Sequence, residues 1–236
     1  MTGTSNRLFV LYMAGGFFLA GCAAAVNVHC IRLTGYSVSH LTGDIARIPL
    51  SKAHAVDGTV PLLGVLALVA VSFMLGAGLA GAFIHHPRFA VRRPYGRALL
   101  GVAALLAVAC LVEQSHILAA LPIAAVACGL QNAMSTHYRG LVLRTTHITG
   151  VCTDFGQYLG MRLSGHAVES WKLIAHATIL AGFILGGLVG YRLDLLIGHY
   201  FLLVMAGIYG VAGLAWLALR RRLIRTFAGD LVYEET

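Results

Sequence analysis

Six long apolar runs, separated by shorter polar stretches, set the pattern of this chain. They cover Leu8–Ile31, Val60–Ile84, Ala98–Val112, Ile117–Ala133, Trp171–Tyr191 and His199–Leu219. About 20 apolar residues wound as a helix cross the hydrocarbon core of a bilayer. Lipid offers no partner for free backbone groups, so each run is expected to be helical. The third run is short, which suits little tilt or a thin bilayer. A polar hinge, Glu113-Gln114-Ser115-His116, separates the third run from the fourth. The pattern predicts an all-α fold: a polytopic transmembrane helical bundle of about six spans plus two broken or re-entrant motif helices.

Two further segments are too polar for ordinary spans and too apolar for ordinary loops. One runs from Gly35 to Arg47 and the other from Gly140 to Asp154. Both contain His-(Leu/Ile)-Thr-Gly, as His40-Leu41-Thr42-Gly43 and His147-Ile148-Thr149-Gly150. Nearly the same offset relates Asn27 to Gln131-Asn132 upstream, and Phe73–Gly76 to Phe183–Gly186 downstream. Three ordered matches at almost one spacing indicate an internal duplication. The first copy covers 1–112, the second 113–219, and a tail follows at 220–236. With three spans each, the copies enter the membrane in opposite orientation, an arrangement that places a binding site where broken helices meet. If both motif segments cross fully, there are eight spans and the repeats are parallel.

Composition agrees with a membrane solvent. Hydrophobic residues make up 58% and charged residues only 11%, with a mean hydropathy of +0.81; a soluble domain carries about 25% charged residues. A soluble enzyme and a secreted protein are excluded on this ground. The net charge of +8 is better explained by membrane topology than by nucleic acid. Thirteen of the 17 Lys and Arg residues fall on the side that holds both termini, which makes that side cytoplasmic. The runs Arg88–Arg97 and Arg220–Arg225 set this bias, with anionic lipid as an optional contact. Leu19-Ala20-Gly21-Cys22 imitates a lipoprotein signal, but the apolar run continues past Cys22, so a retained first span is expected. The odd set of five cysteines, without a CxxC pair, reads as small packing residues. Gly182, Gly186 and Gly190 on the fifth run, and Gly76, Ala77 and Gly81 on the second, read as helix-packing faces. Their partner is the same chain or a second copy.

The pieces resemble the YoaK-type family, bacterial membrane proteins of unknown function. The residues that carry the likeness are His40-Leu-Thr-Gly43, Gly129-Leu-Gln-Asn-Ala133 and Arg144-Thr-Thr-His-Ile-Thr-Gly150, and it extends from about Gly16 to Gly190. Asp44 stands where that family usually has Asn, and Asn27 where it commonly has Asp. The resemblance implies the bacterial inner membrane and suggests transport.

The chemistry is expected at the motif segments. Thr-Gly starts or breaks a helix, exposing N–H groups that suit an anion or a polar solute. The candidate substrate-binding residues are Asn27, His40, Thr42, Gly43 and Asp44 in the first copy. In the second they are Gln131, Asn132, Arg144, His147, Thr149, Gly150 and Asp154. Each has a plainer reading. The histidines can bond backbone at a helix break, the aspartates can sit in a first helical turn, and the amides can join helices. Arg144 can pair with Asp154 or meet lipid. No metal site, cofactor or catalytic residue is expected, although Ser39 beside His40 hints at a nucleophile. The leading reading is a transporter or channel for a small polar or anionic solute. A structural or regulatory membrane subunit comes second and a membrane-embedded enzyme third. The expected partners are the lipid bilayer, an unidentified solute and, as an open question, a second copy of the chain.

Overall fold

The computed structural model describes residues 3–47, 62–84, 89–134, 137–138 and 141–227. Lys52, Arg88, Arg139, Gly140 and the tail beyond 227 lie outside the described residues.

Within the described residues each apolar run lies inside a helix to within a few residues, as lipid would require. In chain order the elements are α1 (Gly3–Thr34), α2 (Leu41–Arg47), α3 (Leu62–Ile84), α4 (Tyr95–Glu113) and α5 (Ile117–Asn132). A two-stranded ribbon follows, β1 (His137–Tyr138) on β2 (Leu141–Val142). Then come α6 (Ile148–Leu163), α7 (Ser170–Ile197), a 3-10 turn at Gly198–Tyr200, and α8 (Phe201–Thr226).

Among the described residues, four helical stretches are long and apolar enough to cross a membrane: Arg7–Thr34, Leu63–Ile84, Tyr95–Glu113 and Ser170–Thr226, with α5 a shorter apolar helix. The last stretch has 57 residues and would rise about 85 Å if straight. It is broken at Gly198, whose φ of 53° is one that side chains with a Cβ avoid. Large apolar side chains stand exposed along α3 (Leu68, Val71, Met74, Leu75), α7 (Leu188, Leu196) and α8 (Val211, Leu214). So broad an apolar exterior belongs in lipid rather than water. The architecture is that of a multi-pass membrane protein.

Close backbone approach decides which helices pair. On α7, a Cβ at Gly182 would lie 2.5 Å from the Phe17 carbonyl oxygen, and one at Gly186 would lie 2.1 Å from the Gly21 Cα. Gly190 meets Ala25 in the same way, and Asp194 meets His29 across a separation of 165 residues. The contact positions rise together, so α1 and α7 run parallel. The pairing of α3 with α5 has the same character. A Cβ at Gly76 would lie 2.0 Å from the Val126 oxygen, and one at Gly129 would lie 2.0 Å from the Phe73 oxygen. The glycine face read on α7 therefore packs within the chain, on α1. Gly81 packs on nothing within the described residues of the chain.

The third tight pair is α4 with α8. Gly96 meets Gly213 and Leu217, Ala103 meets Gly210, and the Cys110 thiol donates to the His199 carbonyl. Here the positions run in opposite directions, so these helices are antiparallel. The short turn at 114–116 also makes α4 and α5 an antiparallel hairpin. Thus α1, α4 and α7 all finish at one end of the bundle.

Candidate functional site: two capped helix breaks

At each His-x-Thr-Gly motif a new helix begins directly after the histidine. After Thr34 the chain reverses through Gly35 (φ 75°) and folds back along α1. The Asn27 side chain holds it there. Asn27 Oδ1 accepts from the Val38 N–H (3.0 Å), the Ser39 N–H (3.2 Å) and the Ser39 hydroxyl (3.1 Å), all buried. Ser37 donates to Asp44 and accepts from the His40 N–H at 3.1 Å. Asp44 is therefore a buried carboxylate of the first α2 turn, bound to a hydroxyl. The His40 ring stacks on Phe183 of α7, 5.5 Å between centroids, and its Nε2 is buried without a hydrogen-bond partner. Thr42 and Gly43 are exposed.

The second break repeats the device. Asn132 Oδ1 accepts from the Thr146 N–H at 3.2 Å and from the Thr145 hydroxyl at 3.4 Å. Ser39 and Thr146 each directly precede the motif histidine. Gln131 donates to the Leu19 carbonyl (2.8 Å) and to Thr145 Oγ1 (3.1 Å), and its own oxygen accepts from Tyr209. The loop is thereby tied to the middle of α1. His147 folds over its own motif: a Cβ on Gly150 would lie 2.3 Å from the ring Cδ2. That glycine makes room for the ring, whereas Gly43 meets nothing. Arg144, His147 and Thr149 are exposed. Asp154 faces His176 Nε2 at 3.6 Å, rather than Arg144.

The two breaks converge on one apolar contact. Val151 packs with Ala20 and Ile179, and Ile148 and Phe183 pack against that group. The His40 ring stacks on the same Phe183. The starts of α2 and α6 therefore both lie against the middle of the α1–α7 pair. A cavity of about 230 Å³ lies beside them, between α1, α4, α5 and α8. Of the residues expected at the site, Gln131 alone lines it, with Thr145 beside it. Most of its wall is Leu19, Tyr95, Leu99, Met134 and Trp216 and similar side chains.

A family model described as a protein of unknown function (DUF1275) matches residues 15–215. The chain belongs to this family. Both capped breaks, and every tight helix pair, fall largely within the DUF1275 match. No curated protein and no solved structure matches the chain significantly.

Several polar residues of this DUF1275 protein escaped the motif reading. Ser37, Ser39, Thr145 and Thr146 are the partners that make the caps. The hydroxyl of Ser39 is committed to Asn27. More notable is a buried group at the end where α1, α4 and α7 finish. His29 Nδ1 lies 2.8 Å from Asp194 Oδ1, and His29 Nε2 lies 2.9 Å from Glu113 Oε2. Arg32 donates to both oxygens of Asp194. The only sequence signal for this group was four ionisable residues in or beside apolar runs, where charge is costly and tends to be paired or functional. Among the described residues, no group of three or more His, Cys, Asp or Glu has the geometry to hold a metal ion.

Proposed function

We propose that this protein is a transporter or channel for a small polar or anionic solute. In this reading it is a bacterial inner-membrane protein with six spans, both termini cytoplasmic, built as two inverted three-span copies. The observation that carries the reading is the pair of asparagine-capped breaks that meet at Phe183. Irregular backbone at membrane depth is tolerated only where protein or a wet cavity satisfies it. Two such breaks at one place bring helix starts and uncommitted polar groups together, which simple packing does not require. In α6 the exposed Thr149 and His147 mark the start of a 16-residue helix, a suitable partner for negative charge.

The helix directions support six crossings. Alternating spans make the first and fifth parallel and the third and sixth antiparallel, as α1–α7 and α4–α8 are. Eight crossings would make α4 and α8 parallel. Exchange of the copies also converts one pairing into the other: α1 on α7 corresponds to α5 on α3. The apolar exterior is the bilayer contact. Catalysis has no part in this reading, since the Ser39 hydroxyl is bonded to Asn27 rather than to a base.

Uptake into proteoliposomes, screened across small anions and metabolites with and without a pH gradient, tests the proposal. His147→Ala and Asp154→Ala are expected to abolish uptake while leaving insertion and melting unchanged, because His147 is exposed and the Asp154 side chain is 48% exposed. Full uptake by both variants would remove this site. The apolar lining of the cavity beside Gln131 favours a second reading, a structural or regulatory subunit. Failure of the native protein to move any solute in that screen would leave this second reading in place.

A further inference from the structure

We propose that His29, Glu113 and Asp194 form a proton-binding latch that ties α1 and α7 to α4 while the proton is held. The argument is a count of hydrogens. A neutral imidazole has one N–H donor and one bare nitrogen. Here both ring nitrogens face carboxylate oxygens, at 2.8 and 2.9 Å. Two ionised carboxylates cannot both be satisfied by one N–H. The geometry is complete only when the group holds one further proton, on the ring or on the Glu113 carboxyl. With that proton, Arg32, His29, Glu113 and Asp194 sum to no net charge, which the burial of His29, Glu113 and Asp194 demands.

Loss of the proton acts unequally on the two acids. Asp194 keeps Arg32, which bonds both of its oxygens. Among the described residues Glu113 has only His29: its second oxygen, Oε1, is buried without a partner, and the side chain is 4% exposed. That residue borders a cavity of about 10 Å³, shared with His29, Cys30 and Leu202. This is room for about one water. Deprotonation therefore frees Glu113 to hydrate and leaves the α1–α7 link intact. The latch holds below the titration point of the group and opens as pH rises through it.

The surrounding titratable groups among the described residues are few. On α1 they are Arg32 and Cys30; on α4, Cys110, whose thiol is bonded to the His199 carbonyl; on α7, Tyr191, within electrostatic reach of Arg32. The α8 contribution is Phe201, stacked on the His29 ring at 4.8 Å, and the α5 wall is apolar after the exposed His116. None of these supplies an alternative donor to Glu113. Coupling of the latch to solute movement rests on the transport reading; the proton count does not.

The test uses the full chain in lipid nanodiscs. Imidazole ¹⁵N resonances of His29, assigned by their loss in His29→Gln, are followed with pH beside the infrared carboxyl band of Glu113. Near neutral pH the expected result is either a doubly protonated ring or a protonated Glu113 carboxyl that Glu113→Gln removes. Hydrogen exchange at Ser115, His116 and Ala119, corrected for intrinsic base catalysis, reads the latch. Glu113→Gln, whose amide N–H replaces the bound proton as donor to His29, is expected to keep exchange low at every pH, whereas in the native protein it rises about tenfold as pH passes the titration point of the group. If Glu113→Gln does not fold, the native pH profile alone decides. A neutral ring beside an ionised Glu113, or exchange in the native protein without pH dependence, overturns the latch. A protonated group in a protein that moves no solute overturns the transport reading only.

Discussion

Replacement of Asn27 by Ala removes one oxygen that three buried donors share. Asn27 is 2% exposed, and the donors are the N–H groups of Val38 and Ser39 and the Ser39 hydroxyl. The hydroxyl can turn to another acceptor. The two backbone N–H groups cannot, because the chain around them is fixed by Ser37 and by the α1 surface. Each orphaned donor costs about 1–3 kcal/mol, so the variant is expected to lose about 2–6 kcal/mol. For a chain of this size that lowers Tm by about 5 °C or more. Asn27→Asp keeps the acceptor and is expected to retain most of the stability. Buried free thiols at Cys22, Cys30, Cys110 and Cys128 allow melting to be followed with a thiol-reactive fluorophore in detergent. Hydrogen exchange at Val38 and Ser39 reports the segment itself. An Asn27→Ala protein that melts with the native chain and keeps both amides protected would refute the capping argument.

Two other expectations concern packing and topology. Gly186→Val drives a Cβ into the Gly21 backbone, which cannot yield, so a loss of about 1–3 kcal/mol or more is expected. Gly78→Ala on α3 meets nothing within 4 Å and should melt no lower than the native chain; equal melting of the two variants would contradict the α1–α7 register. A cysteine placed at Arg92, in a Cys152→Ser background, is expected to resist an impermeant maleimide in intact cells and to react once the membrane is opened. Labelling from outside would overturn the cytoplasmic assignment of that loop.

Much of the helical layout was legible residue by residue. The second run ends at Ile84 and the fourth begins at Ile117, as α3 and α5 do. The breaks at His40 and His147 were legible too, because each Thr-Gly pair marks a helix start, and both pairs lie in the first turn of the helix that follows. Gly182, Gly186 and Gly190 were recognisable as a packing face, but their partner was not. Nothing local distinguishes a glycine that meets α1 from one, like Gly81, that meets nothing. The roles of Asn27 and Asn132 as caps became visible only when the chain had folded back to bring Ser39 and Thr146 to them. His29, Glu113 and Asp194 lie on three different helices, and no spacing rule joins them. A bilayer selects apolar length along the chain, so sequence alone determined which segments are helices and where they break. The pairing of buried polar groups depends on which helix faces approach at backbone distance, and only the tertiary structure decided that.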